Sequence, residues 1–218
     1  MKYVFDYEKH GNLDKFNKVV LMSSSPRRIE LLKFLNPKTM KKEIDERSIE
    51  RKYMKKYQDE EFLKRASYTC CEISKEKSNM DLEDDCIYIS SDTMVINDSK
   101  IYNKPKDKEE AKDMLYSYLG KKHYVVTSVC IRTKNYIDVF YTISKVKFVE
   151  YYKELDIIIK RYIDSNLPMD KAGAYGIQEL DPRLVEYIEG DINTIIGLPV
   201  CELSRRIYKN KGEKDDWV

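Results

Sequence analysis

The stretch that most constrains this chain is residues 19–35, VVLMSSSPRRIELLKFL. Its first four residues are apolar without polar alternation, which is typical of a β-strand covered on both faces. Three serines end that run, and Pro26 suits the first turn of a helix because the N–H that it lacks would have no partner there. The stretch therefore predicts a buried strand that turns into a helix, with Ser25 as the N-cap.

Two arginines at the start of this helix conflict with the helix dipole. Arg27 and Arg28 lie on the first turn, where positive charge is unfavourable. A bound polyphosphate would resolve the conflict, because free N–H groups, the hydroxyls of Ser23 and Ser25 and the guanidinium groups would donate to its oxygens. Two other interpretations stay open: a plain corner with solvated arginines, and a basic segment on a DNA backbone, although two arginines hardly form a patch.

The composition suits a soluble globular protein, with 36% charged and 42% hydrophobic residues. Lysine and arginine number 40 against 38 aspartates and glutamates, so the net charge is only +2. A general attraction to nucleic acid is therefore not indicated, and anion binding has to come from local placement of charge. The 218 residues suffice for one sizeable core, and we predict an extension at 1–17, a single domain at 18–210 and a polar tail at 211–218.

The cysteines form no CxxC pair, and no histidine lies near them at zinc-ligand spacing. The five are Cys70, Cys71, Cys86, Cys130 and Cys201. Such an odd, scattered set is typical of reduced thiols in a reducing compartment. The sequence also has no apolar run of about 18 residues and no signal-peptide pattern. We therefore expect a cytoplasmic protein that binds neither nucleic acid nor a membrane.

A carboxylate interrupts the second informative stretch, residues 86–97, CIYISSDTMVIN. The stretch is predicted to be a strand, and Asp92 falls in its middle, where an unpaired carboxylate would be costly. Its side chain either caps a local turn or bulge, or acts near phosphate as a metal ligand or a base for water. Two alternatives also stay open for Asp45 and Glu46: ordinary helix-start acids, or one carboxylate that faces the phosphate site and holds a cation.

Periodicity and turn residues predict the other elements. Residues 48–77 are predicted to form one long helix or two helices with a break near 58–60. A hairpin is predicted at 123–133 and 136–150. Further predictions are helices at 107–120 and 151–166, strands at 184–188 and 194–196, and a helix after Pro199. Residues 1–17 show no clear period and are predicted to lie over the body or to be mobile.

Four stretches in this order resemble the Maf nucleotide pyrophosphatases. They are SSSPRRIELL, SDTMV followed by NKP, GKKHYVVTSV, and DKAGAYGIQ followed by GDINTIIGLP. The resemblance implies an α/β fold related to the inosine triphosphate pyrophosphatases, with an elongated mixed β-sheet, flanking helices and a central cleft. It also implies hydrolysis of a nucleoside triphosphate to the monophosphate and pyrophosphate with Mg²⁺ or Mn²⁺, and it suggests a homodimer.

The resemblance also assigns roles to single residues. Asp92 would be the catalytic acceptor and Glu46 a further acid, while Ser25, Arg28 and Lys104 would bind the phosphates. These residues suit the chemistry, because attack of water on the α-phosphorus needs charge neutralisation, a carboxylate for the water and a cation for the leaving pyrophosphate. Asp92 and Glu46 together would hold that cation. Whether Asp92 acts as base, metal ligand or both stays open.

Three specificity positions of the family fall on Arg27, Thr93 and Gln178. The branch similar to dTTP and UTP pyrophosphatases has Arg, Thr and Gln there, whereas the branch that acts on methylated GTP usually has a bulky aromatic residue at the first. A glutamine amide offers both a donor and an acceptor to a pyrimidine edge, and a buried amide discriminates well. The resemblance therefore implies a pyrimidine nucleotide as substrate.

One positively charged residue of the family pattern is absent from this sequence. The family commonly has lysine followed by alanine in the helix between the first two motifs, and the matching residues here are Thr69 and Cys70. Lys64 or Arg65 is predicted to substitute for that lysine. The loss is also the main support for an alternative function, a non-catalytic nucleotide-binding regulatory protein of cell division.

Overall fold

The computed structural model describes residues 3–13 and 15–210. Within them, the strands are β1 (Val4–Gly11), β2 (Lys18–Leu21), β3 (Lys38–Thr39), β4 (Cys86–Asn97), β5 (Lys100–Tyr102), β6 (Lys122–Arg132), β7 (Tyr136–Phe148) and β8 (Val185–Glu189). The helices are α1 (Pro26–Leu32), α2 (Glu46–Lys56), α3 (Phe62–Lys77), α4 (Lys108–Tyr118), α5 (Leu155–Asp164), α6 (Ile192–Ile196) and α7 (Val200–Asn210). The polar tail predicted at 211–218 lies outside the described residues.

The strands form one mixed sheet in the order β1-β7-β6-β4-β2-β3, with β5 beside β4 and β8 beside β7. The pairs of β2 with β3 and with β4 are parallel. The pairs that join β1, β7, β6 and β4 are antiparallel, and they include the predicted hairpin. This mixed sheet with flanking helices confirms the predicted fold class.

The central strands are buried on both faces because their two sets of alternating residues meet different helices. On β4, Met94 and Ile96 pack in a cluster with Ala66 and Ile73 of α3. Their neighbour Val95 faces the other way and packs in a cluster with helices α4 and α5. Because both faces of β4 are covered, residues 86–97 show little polar alternation.

Two elements differ from the prediction. Residues 194–196, predicted as a strand, belong to helix α6, because the side chain of Asp191 accepts a hydrogen bond from the N–H of Asn193 and begins the helix. Residues 4–11 form an edge strand that pairs with β7. The register of β1 shifts between Asp6 and Glu8, and this irregularity removes the two-residue period that would have marked a strand.

The remaining helices agree more closely with the prediction. The segment 48–77 contains two helices, α2 and α3, separated by residues 57–61, so the two-helix alternative is confirmed. The helix predicted from residue 151 begins four residues later, at Leu155. None of the described helices combines the length and the apolar character that a membrane crossing requires.

Candidate active site

The serine corner predicted from the sequence is present between β2 and α1. Helix α1 begins at Pro26, and the carbonyl oxygen of Ser25 accepts the first helical hydrogen bond, from the N–H of Ile29 at 3.1 Å. The hydroxyl oxygen of Ser23 accepts a hydrogen bond from the N–H of Ser25 at 3.2 Å. Ser23 is buried, and Arg27 and Arg28 follow on the first turn as expected.

A cavity opens where β2 ends beside a longer strand. Leu21, the last residue of β2, lies opposite Ile89, while β4 continues to Asn97. Residues 92–94 of β4 therefore border a cavity of about 690 Å³ at this edge, before Val95 pairs with Tyr102 of β5. Every site residue predicted from the sequence lines this cavity: Ser23, Ser25, Arg27, Arg28, Glu46, Asp92, Thr93, Lys104 and Gln178.

The cavity reaches both faces of the sheet. Asp92 and Thr93 are successive residues of β4, so their side chains leave opposite faces. Asp92 points towards α3, where it contacts Lys77 and Cys70. Thr93 points towards α1, where it accepts a hydrogen bond from Arg28. Because β2 ends early, helix α3 on one face of the sheet and helix α1 on the other face both reach this cavity.

Arg28 is held by fixed groups of distant segments. Its Nε donates to the carbonyl oxygen of Gly197 at 2.8 Å, and its Nη2 donates to Oγ1 of Thr93 at 3.0 Å. Oγ1 of Thr93 in turn lies 3.0 Å from Oγ1 of Thr127. Burial lowers the pKa of Arg28, and the negative charge of Asp92 opposes that effect. Arginine remains charged in proteins, so the guanidinium is an aligned cation at the cavity wall.

Gly197 has a role that sequence reasoning missed. It ends α6 with a φ of +118°, in the left-handed region that favours glycine. Its carbonyl oxygen accepts hydrogen bonds from Arg28 and from the hydroxyl of Ser91, the latter at 3.0 Å. A Cβ at this position would lie 3.3 Å from Oγ1 of Thr93. The turn at Gly197 therefore sets the position of Arg28.

Asp92 is paired by two groups of α3. The residue is only 8% exposed. Its Oδ1 lies 2.7 Å from Nζ of Lys77, and its Oδ2 accepts from the thiol of Cys70 at 3.5 Å. Burial and the charge of Asp92 raise the pKa of Cys70, so the thiol keeps its proton and can donate. These contacts favour a role of Asp92 in the cavity over that of a local turn cap.

Lys77 is the cation that the sequence analysis did not find. Its Nζ also lies 3.0 Å from Oε1 of Glu46. Burial alone would lower the pKa of Lys77, but the attraction of Asp92 and Glu46 outweighs it and raises the pKa above its ordinary value. Lys77 therefore stands as an ammonium group between two carboxylates at the cavity wall.

The predicted substitutes for the family lysine lie elsewhere. Nζ of Lys64 forms an ion pair with Glu60 at 2.8 Å, and Arg65 donates to the carbonyl oxygen of Gln58. Among the described residues that line the cavity, neither of the two is found. Thr69 and Lys77 are two helical turns apart on one face of α3, a spacing that could have pointed to Lys77.

The outer part of the cavity is more exposed. Asp45 caps α2 by accepting from the N–H of Ser48 at 2.9 Å, and Glu46 follows on the first turn. Lys104 and Gln178 are exposed, so the expectation of a buried amide at Gln178 is wrong. We call Arg28, Lys77, Asp92 and Thr93 the inner end of the cavity, and Arg27, Lys104 and Gln178 its rim.

A buried histidine anchors the segment that carries part of the rim. Tyr175 lines the cavity, and its hydroxyl lies 2.7 Å from Nε2 of His123. The His123 ring stacks on Tyr118 with centroids 4.1 Å apart. Burial lowers the pKa of His123 to about 3, so the ring is neutral at physiological pH. Gln178 therefore lies only three residues after Tyr175, whose position is fixed by its contact with His123.

The donor set at the cavity fits a divalent cation only in part. Within the described ranges, no group of three or more His, Cys, Asp or Glu side chains could hold a metal ion. Asp92 and Glu46 nevertheless offer hard carboxylate oxygens. Mg²⁺ usually binds through one or two carboxylates, with waters and substrate phosphates completing its shell. The two carboxylates therefore fit a cation that arrives with a nucleotide.

Comparison with known proteins identifies the family of the chain. A family model described as Maf-like protein matches residues 18–210. A dTTP/UTP pyrophosphatase of Thermosipho africanus is 39% identical over 189 residues, which cover 85% of this chain and 90% of that protein. One of Thermotoga maritima is 36% identical over 197 residues, covering 88% of this chain and 89% of that protein. One of Aquifex aeolicus is 35% identical over 189 residues, covering 85% and 92%. The chain therefore belongs to the Maf-like protein family.

Proposed function

We propose that this protein hydrolyses pyrimidine nucleoside triphosphates, dTTP and UTP, to the monophosphate and pyrophosphate. The observation that carries the proposal is the convergence of the serine corner, Arg28 and Asp92 on one cavity of about 690 Å³. A cavity of this size is in the range of small-molecule sites. The relatives named dTTP/UTP pyrophosphatase support the choice of substrate.

Binding of the triphosphate would use the positive groups around the cavity. Arg28 is already aligned by its two hydrogen bonds, so its remaining N–H groups can donate to phosphate oxygens at little entropic cost. Ser25 and the free N–H groups at the start of α1 add uncharged donors. Lys104 is exposed at the rim and can close on the phosphate chain.

In the reaction, the oxygen of water would bond to the α-phosphorus while the bond from that phosphorus to the bridging oxygen breaks. Asp92 would orient this water and accept its proton. Arg28 would stabilise the charge that develops on the phosphoryl oxygens. Asp92 and Glu46 would hold a Mg²⁺ or Mn²⁺ ion, which neutralises charge on the leaving pyrophosphate when bound.

Selection of the base would fall to Arg27, Thr93 and Gln178. Nη1 of Arg27 lies 3.5 Å from Asp170, which keeps the guanidinium at the mouth of the cavity. The exposed amide of Gln178 can reach inward and pair with the donor and acceptor groups of a pyrimidine edge. We therefore propose that Arg27 and Gln178 of the rim read the base together with Thr93, and that Arg28 and Asp92 of the inner end act on the phosphates.

The alternative of a non-catalytic nucleotide-binding protein depended on the missing family lysine. Lys77 places an ammonium group 2.7 Å from Asp92, so the cavity has not lost its cation. The observation that supported this alternative therefore no longer favours it.

A panel of nucleoside triphosphates tests the proposal directly. The purified protein with Mg²⁺ or Mn²⁺ is given dTTP, UTP, the purine nucleotides and methylated forms of both, and released pyrophosphate and orthophosphate are measured separately. We expect pyrophosphate from dTTP and UTP, with less from purine nucleotides. Orthophosphate as the only product would contradict the proposed reaction. Thermal stabilisation by dTTP without turnover would support the non-catalytic alternative.

We also propose a cytoplasmic homodimer. The resemblance to the family supports the dimer, and the free cysteines support a reducing compartment, since four of the five thiols are buried. Light scattering of the purified protein checks the oligomeric state.

A further inference from the structure

Lys77 pairs with both of the carboxylates that would hold the divalent cation, Asp92 and Glu46. Its Nζ is 2.7 Å from Oδ1 of Asp92 and 3.0 Å from Oε1 of Glu46. We propose that Lys77 is a built-in counterion of these carboxylates, which excludes a divalent cation until a nucleotide binds. This inference rests on the proposed function, because it assumes that these two acids hold the cation during the reaction.

The ammonium group is well fixed in this position. Lys77 is the last residue of α3, and the C-terminal end of a helix favours a positive charge. Its side chain is only 13% exposed, and Nζ also lies 3.5 Å from the carbonyl oxygen of Ser91. The carboxylate oxygen atoms that a metal ion would need are therefore already paired with the ammonium group of Lys77.

The charge balance decides which cation the empty cavity prefers. Two carboxylates with one ammonium group carry a single net negative charge, and Arg28 adds a positive charge to the same wall of the cavity. Mg²⁺ and Mn²⁺ must also lose part of their hydration shell to bind carboxylates directly. Like charges repel strongly at such short distances. The ammonium group of Lys77 therefore makes binding of a metal ion to the two carboxylates unfavourable before a nucleotide binds.

A bound triphosphate changes this balance. Its oxygen atoms offer new partners to the ammonium group, and they also complete the shell of a metal ion held by Asp92 and Glu46. Metal and nucleotide would then favour each other's binding, and this coupling is reciprocal. Lys77 would thus move from the carboxylates to the phosphates when the substrate enters, and the two acids would become free for the metal.

Calorimetric titration with Mn²⁺ in the absence of nucleotide tests the inference. We expect the unaltered protein to bind Mn²⁺ more weakly than about 1 mM, and Lys77→Met to bind it at least about tenfold more tightly because the competing charge is gone. Lys64→Met is the matched control, since Lys64 lies on the same helix and pairs with Glu60 outside the cavity. It should bind Mn²⁺ as weakly as the unaltered protein.

A double variant locates the metal that is gained. Adding Asp92→Asn to Lys77→Met should abolish the tighter binding, and a gain that survives would overturn the inference. Equal affinities of the unaltered protein and Lys77→Met would overturn it as well.

Binding of Mn²⁺ by the unaltered protein with micromolar affinity would also overturn the inference. This measurement needs no variant, so the inference stays testable if Lys77→Met does not fold. The titration needs no turnover. Tighter Mn²⁺ binding by Lys77→Met together with an inactive unaltered protein would therefore keep this inference and contradict only the proposed hydrolysis.

Discussion

The inner end of the cavity and its rim are built in different ways. At the inner end, Arg28 is bonded to Gly197, which lies 169 residues further along the chain, and Asp92 is paired with two residues of α3. At the rim, Lys104 and Gln178 are exposed. Groups whose partners are fixed before binding are suited to chemistry, because little has to rearrange in the transition state. Exposed groups can adjust to the substrate that enters.

The largest effect should come from the acid of the inner end. Asp92→Asn keeps the size of the side chain but removes its charge, and we expect kcat to fall by roughly 10³-fold because the water loses its proton acceptor. Pyrophosphate release from dTTP measures the effect. Asp98→Asn is the matched control, since Asp98 is exposed and pairs with Lys121 on the surface. Full activity of Asp92→Asn with an intact fold would remove Asp92 from the mechanism.

A smaller loss is expected from Arg28→Lys. Lysine keeps the charge, but it cannot donate to the carbonyl of Gly197 and to Thr93 in the same geometry, so the cation loses its alignment. We expect kcat/KM to fall by about 10²-fold. Arg205→Lys serves as control because Arg205 is exposed and pairs with Glu202 of its own helix, outside the cavity. Equal kinetics of the two variants would show that the fork geometry of Arg28 is unimportant.

The histidine beneath the rim predicts a pH dependence of stability. Its pKa of about 3 in the folded protein lies below the ordinary value of 6.5, so the unfolded chain binds the proton first as the pH falls. Between about pH 6.5 and pH 3, protonation of His123 should therefore lower the free energy of unfolding by up to about 1.4 kcal/mol per pH unit.

Urea unfolding at a series of pH values measures this slope. His123→Phe should flatten the slope in that range, because the side chain that takes up the proton in the unfolded chain is gone. The same slope in His123→Phe and the unaltered protein would contradict the prediction.

The smallest effect should come from the rim. Gln178→Ala removes the amide that is proposed to pair with a pyrimidine, and we expect the preference for dTTP over purine nucleotides to fall by about tenfold, with kcat for dTTP little changed. Ratios of kcat/KM across the nucleotide panel give the result. Gln58→Ala, at an exposed position outside the cavity lining, should keep the preference. An unchanged preference in Gln178→Ala would place base recognition elsewhere.

Local patterns were enough to predict the strand and helix around the serine corner. The apolar run, the serines and Pro26 are contiguous, and each restricts its own backbone. Residues 194–196 were predicted as a strand because β-branched residues favour strands, but a cap at Asp191 and a left-handed turn at Gly197 stabilise a helix there. Strand β1 was missed because its register shift breaks the alternation that marks a strand.

The sequence by itself determined that the chain carries phosphate-binding and acidic groups in a family order, and that these belong to an α/β fold. Tertiary structure alone decided which groups meet. Lys77 stands beside Asp92, and the carbonyl of Gly197 holds Arg28, because the end of β2 lets helices from both faces of the sheet reach one cavity. Such contacts join residues far apart in the chain, and no local pattern records the distance between two segments that only packing brings together.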